Sequence, residues 1–192
     1  MPGSDYEKVL EIAADQHGYV TTSQAREHGV SDDALRKMAS RGTLERVSRG
    51  VYRVPTFPPS PYAEYVEASL WPAGVRGVIS HQSALALYGL SDVSPSAIHI
   101  TVPEDFRIRR KVPAHLEVHH AELEDDEMTL FEGIPTTTAR RTIEDCQRAH
   151  LGPALLRQAL EEAEREGYLS PAEAAELRKE VLPGPVHGKG NE

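Results

Sequence analysis

The chain has 192 residues and a formal charge of −9, long enough for one generous domain or two small ones with a real core. No run approaches eighteen consecutive apolar residues, which excludes a transmembrane helix, and Met1–Tyr6 lacks the basic-then-apolar pattern of a secretory signal, so the expected location is cytoplasmic. One cysteine, Cys146, excludes an internal disulfide and a multi-cysteine zinc site, and its apolar helical neighbourhood predicts a small buried hydrophobe.

In chain order, Tyr6, Val9, Leu10 and Ala13 fall at i, i+3, i+4 and i+7, the stripe of an amphipathic helix that Gly18 ends. Thr21-x-x-Gln24 reads as a capping box opening a short helix that stops at Gly29. Ser31 is placed to cap a third helix, with Asp32 and Asp33 against its positive end and Gly42 as its stop. Two strands are expected near Leu44–Val47 and Val51–Val54, joined through Ser48-Arg49-Gly50. Alternation predicts Val47, Tyr52 and Val54 on an inner face, Arg46 and Arg53 on the other, and Arg49 at the tip. Three helices followed by a hairpin is the order of a winged helix-turn-helix, assigned to residues 1–54.

Pro55-Thr56-Phe57-Pro58-Pro59-Ser60-Pro61 holds four prolines in seven residues and predicts a stiff extended linker over 55–61. Beyond it, residues 62–182 predict an acidic, mixed α+β domain, and residues 183–192 a disordered tail. Helices are expected at Tyr62–Trp71, from a Ser80 cap through Tyr88, and at Thr138–Arg148, Pro153–Glu166 and Pro171–Glu180. Ala97–Val102, Leu116–His120 and Met128–Phe131 have strand composition. The fold class is therefore α+β: an N-terminal winged helix-turn-helix, then a mixed domain ending in helices.

The third helix divides into two faces. Val30, Ala34, Leu35 and Met38 point to a core, whereas Asp33, Arg36, Lys37 and Ser40 lie on another side, with Arg41 beside them and Ser31 at the start. A recognition helix needs this division, one face anchored and the other in the major groove. Arg36 and Lys37 suit guanine O6 and N7, and Asp33 suits cytosine N4. Arg46, Arg49 and Arg53 make the wing basic, suited to phosphate or minor-groove contacts. Charge agrees, since residues 36–53 carry six bases against Glu45 alone, a local net of +5, although residues 1–35 are net −5 and the remainder −9. The local patch governs phosphate binding, not the total.

Val20-Thr21-Thr22, Gly29-Val30-Ser31 and above all Gly42-Thr43-Leu44-Glu45-Arg46-Val47-Ser48-Arg49-Gly50-Val51-Tyr52-Arg53 resemble the N-terminal domain of AbiEi-type antitoxins of bacterial type IV toxin–antitoxin systems. The likeness continues in residues 79–90 (ISHQSALALYGL), 98–103 (IHITVP) and 133–145 (GIPTTTARRTIED). The resemblance implies a bifunctional antitoxin: the winged helix represses its own operon on double-stranded DNA, and the second domain neutralises a toxin of nucleotidyltransferase type. An acidic second domain, with 21 acids against 12 bases over residues 62–182, suits encounter with a basic, RNA-handling toxin. A regulator whose second domain senses a ligand or forms a homodimer is the alternative, and a nuclease-associated protein a weaker one.

Other signals are weighed against plain structural roles. His115, His119 and His120 cluster in sequence, with His81 and His99 elsewhere, but adjacent strand residues point to opposite faces, and no metal site or other cofactor is expected. Glu122–Glu127 reads as an exposed acidic loop. Arg107, Arg109, Arg110 and Lys111 form a second basic cluster, a solvated loop or an auxiliary nucleic-acid contact. Arg140 and Arg141 each face an acid four residues on, which supports their helix. Nothing resembles a catalytic constellation, and a binding protein without catalysis is expected.

Overall fold

The computed structural model describes residues 4–72 and 74–182, so the expected tail at 183–192 lies outside the described residues. Helix α1 (Ser4–Ala14) turns Val9 and Ala13 inward, and Gly18 follows in a left-handed conformation. Strand β1 (Tyr19–Thr21) leads into α2 (Thr22–Glu27), where the capping box forms: Thr21 Oγ1 accepts from Gln24 N and Gln24 Oε1 accepts from Thr21 N. Helix α3 (Asp32–Ser40) starts at Ser31, whose Oγ accepts from Ala34 N at 3.1 Å. Strands β2 (Glu45–Ser48) and β3 (Val51–Arg53) form the wing hairpin, and β1 joins it in an antiparallel sheet ordered β1-β3-β2.

Both faces of this small sheet are used. Residues opposite one another in an antiparallel ladder share a face. Val20 lies opposite Tyr52, and both enter the core of α1–α3 with Val9, Leu35, Leu44 and Val54. Tyr19 and Val51 face the other way and belong to the core of the C-terminal half. A bulge between Arg46 and Ser48 displaces Val47, which packs toward that second core instead of joining Tyr52. Arg46 therefore lies opposite Tyr52, and Arg53 opposite Glu45. The expectation that Arg46 and Arg53 share a face is corrected; simple alternation did not allow for the bulge.

Residues 55–61 lie along the N-terminal half: Phe57 packs on its core, and Ser60 Oγ hydrogen-bonds His17 Nδ1 at 2.9 Å. Next come α4 (Ala63–Leu70), β4 (Val78–Ile79), α5 (His81–Tyr88), β5 (Ile98–Val102) and β6 (Leu116–His120). A 3₁₀ turn at Asp125–Glu127, β7 (Met128–Phe131), β8 (Ile134–Thr137), α6 (Ala139–Arg148), α7 (Pro153–Arg165) and α8 (Pro171–Val181) complete the order. The five-stranded sheet runs β6-β5-β4-β8-β7, with β5–β6 and β4–β8 parallel and the other pairs antiparallel. Helix α5 packs on β5 and α6, and α6 on α7 and α8. The α+β class holds.

Two local outcomes differ from expectation. Ser80 occupies the cap position of α5 but makes no side-chain cap bond, because its hydroxyl accepts from Thr101 Oγ1 at 2.8 Å. The acidic run ends in an ion pair: Glu127 meets Arg141 at 2.6 Å, and Arg141 also holds Asp145 at 2.9 Å. Arg140 pairs with Glu144 at 3.0 Å, as the spacing predicts, and reaches Glu176 and Glu180 on α8.

Candidate nucleic-acid interface

Leu35 is fully buried and fixes α3 against its core, leaving Ser31, Asp33, Arg36, Lys37, Ser40 and Arg41 exposed. Several of these groups already have local work. Lys37 meets Asp33 at 2.8 Å, and its hydrogen bond and charge hold the Asp33 carboxyl below the usual carboxylate range. Ser31 caps the helix, and Ser40 Oγ donates to Lys37 O at 2.9 Å. Arg36 makes no ion pair among the described residues.

On the wing, Arg46 and Arg49 are exposed, and Gly50 takes a φ of +81° to close the turn. Arg53 is placed differently. Its side chain is only 18% exposed, meets Glu45 at 3.4 Å and donates to Phe57 O at 2.8 Å. The structure thus brings Arg36, Arg46 and Arg49 together and sets Arg53 apart, toward the second domain.

A cleft of about 850 Å³ opens between α3, the wing and the loop joining β5 to β6. Arg36, Arg46, Arg49 and Tyr52 line one side; Arg107, Arg109 and Arg110 line the other, beside Trp71. Lys111 is exposed nearby in sequence but is not among the lining residues. Of the two acids in the lining, Asp32 and Asp105, Asp32 is paired with Arg26 at 2.9 Å. Arg110 lies over the Trp71 ring at 4.3 Å from its centroid, a cation–π contact that orients the guanidinium. One of its terminal nitrogens is buried without a hydrogen-bond partner among the described residues. Burial, and then the neighbouring charge of Arg49, disfavour its protonated form. An anion in the cleft would relieve both costs, and phosphate suits a guanidinium fork. Sequence reasoning found both basic clusters but not their proximity, which depends on the path of a loop between two parallel strands.

Residues 7–55 match the family described as "Transcriptional regulator, AbiEi antitoxin". Over these residues the winged domain is similar to AbiEi antitoxin regulators. The match runs from α1 through the wing hairpin and so includes α3 and the first wall of the cleft. The crystal structure of the RV2827C protein from Mycobacterium tuberculosis is similar at 19% identity and a TM-score of 0.47, over 93% of this chain and 76% of that one. No curated protein matches the chain. No described helix is long and apolar enough to cross a membrane.

Proposed function

We propose that the protein is a DNA-binding antitoxin that represses its own operon through the AbiEi-type winged domain and neutralises a nucleotidyltransferase-type toxin through residues 62–182. It acts by binding, without catalysis. The observation that carries the DNA-binding half is the arginine-lined cleft: α3 and the wing supply one wall and Arg107, Arg109 and Arg110 the other, with one buried nitrogen of Arg110 lacking a hydrogen-bond partner among the described residues. Arg36 and Lys37 read bases, Arg46 and Arg49 hold phosphates, and the loop arginines extend the phosphate track beyond the wing. Arg53, fastened to Glu45 and Phe57, positions the wing instead of contacting the backbone directly. The net acidity of the second domain steers a basic toxin toward it.

Promoter titrations at several salt concentrations test the DNA-binding half. Replacing Arg46 and Arg49 by alanine lowers the salt slope by about two, at roughly 0.9 for each phosphate that is no longer neutralised, and replacing Arg107 and Arg109 lowers it again. Arg53→Ala changes stability more than slope. Identical slopes for wild type and both double variants would remove the cleft from the interface. The antitoxin half is tested by growth rescue with a toxin encoded beside this gene; if the full chain gives no protection, the protein is better described as a regulator alone.

A further inference from the structure

His81, His99 and His119 are far apart in sequence, yet each offers a ring nitrogen within 4.8 Å of the others. The fold brings them there through two separate devices. Strands β5 and β6 pair in parallel with His99 opposite Glu117 and Thr101 opposite His119, which puts His99, Glu117 and His119 on one face. Helix α5 starts on the same side: Ser80 N donates to His99 O, Ser83 Oγ accepts from His99 N, and Ser80 Oγ holds Thr101. His81 then enters with a φ of +52°, a backbone conformation a side chain of its kind rarely adopts, and stacks on His119 at 3.7 Å between centroids.

We infer that His81, His99 and His119, with Glu117 beside them, form a binding site for a divalent transition metal of the zinc class. His99 Nδ1 and His119 Nε2 are 2.9 Å apart, and the Glu117 carboxylate lies 3.7 Å from one ring and 3.8 Å from the other. Ligand nitrogens around tetrahedral zinc, each about 2.0–2.1 Å from the ion, are about 3.3 Å apart, so His99 and His119 need to separate by only a few tenths of an ångström. His81 must turn off its stack to offer a lone pair, a rotation open to a half-buried side chain at a helix end. Three neutral imidazoles and one carboxylate are a donor set that suits zinc, cobalt or nickel, and not calcium or magnesium, which prefer oxygen.

A neutral imidazole keeps one unprotonated ring nitrogen, the form that binds a metal, and the hydrogen bond between His99 Nδ1 and His119 Nε2 shows that one of these two nitrogens is already an acceptor.

The test uses the full chain, stripped with a chelator and titrated with Co²⁺ and with Zn²⁺. The expected result is one ion per chain, a visible cobalt band of tetrahedral type, and a thermal midpoint that rises with added zinc. His119→Gln and His81→Gln lower the affinity at least 100-fold and abolish the band, and Glu117→Gln lowers it about 10-fold. His120→Gln, one residue away on the other face of β6, leaves it unchanged. His99→Gln is the most exposed to misfolding, being the most buried of the three, so the half-buried His81 and His119 variants decide, with circular dichroism confirming their fold. Absence of stoichiometric binding to the wild type, or equal affinity in the His119 and His120 variants, overturns the site.

Discussion

Arg141 shows how a residue chosen for helix pairing becomes a core element. Its side chain is 11% exposed and its guanidinium spans Glu127 at 2.6 Å and Asp145 at 2.9 Å, so it joins the turn before β7 to α6. Burial weakens its charged form, but the two carboxylates outweigh that and raise its proton affinity. Arg141→Met leaves two acids without their shared cation and costs about 3 kcal/mol, the low end for breaking a buried pair because Arg148 still holds Asp145. Arg148→Ala, on a side chain that is 56% exposed, costs under about 1 kcal/mol, and urea midpoints of the two variants separate these outcomes. Cys146 meets the expectation of a buried hydrophobe: no solvent reaches it, and burial pushes its thiol up to about 12. A maleimide probe at neutral pH therefore labels the native protein only at the rate of its unfolding, and rapid labelling would contradict that packing.

Elements with local signals were legible, and those assembled from distant ones were not. The caps at Thr21 and Ser31 and the apolar stripe of α1 act within one helical turn, and each appeared where the residues indicated. The face of α3 opposite Leu35 was legible for the same reason. Strands β1 and β4 are too short to show alternation, and Pro135 disguises β8. The wing bulge defeated a period-two reading, and the histidine group depends on β5–β6 register, which no local pattern encodes. Gly18 is a further case, because its need for glycine is set from outside its own turn. It has a φ of +86°, and a Cβ there would stand 2.7 Å from Phe57 Cβ. Gly18→Ala should cost on the order of 3 kcal/mol, backbone strain plus a clash with a packed side chain. Gly42→Ala, at a φ of +75° with nothing within 4 Å of the added carbon, should cost about 1 kcal/mol. Equal urea midpoints for the two would show that Phe57 does not hold the connector against the α1–β1 turn.

At the scale of the molecule, the proline-rich stretch suggests two independent modules, but the wing sheet belongs to both cores. Val20 and Tyr52 face α1–α3, whereas Tyr19 and Val51 complete the core that includes Ile79, Leu85 and Ile143. Polar ties cross at the same place: Tyr19 Oη donates to Glu67 Oε1 at 2.7 Å, and His17 Nε2 meets Glu132 O at 2.6 Å. Full burial of a large apolar side chain contributes about 1.5–3 kcal/mol. A domain of some fifty residues has only about 3–8 kcal/mol in total, at 0.05–0.15 kcal/mol per residue. Cutting after Val54 exposes Tyr19 and Val51, removes the cover of Phe57 and leaves Arg53 without its Phe57 acceptor. The fragment 1–54 should therefore melt without a cooperative transition and bind the promoter far more weakly than the full chain, even at low salt. Extending it to residue 61 restores Phe57 but not the cover over Tyr19 and Val51, so only part of the stability returns. Calorimetry and promoter titration of both fragments provide the measurement. A sharp transition and near-native affinity for residues 1–54 would mean that the shared sheet is a docking contact between self-sufficient domains; their absence would mean that the winged domain depends for its fold on the second domain, through β1 and β3.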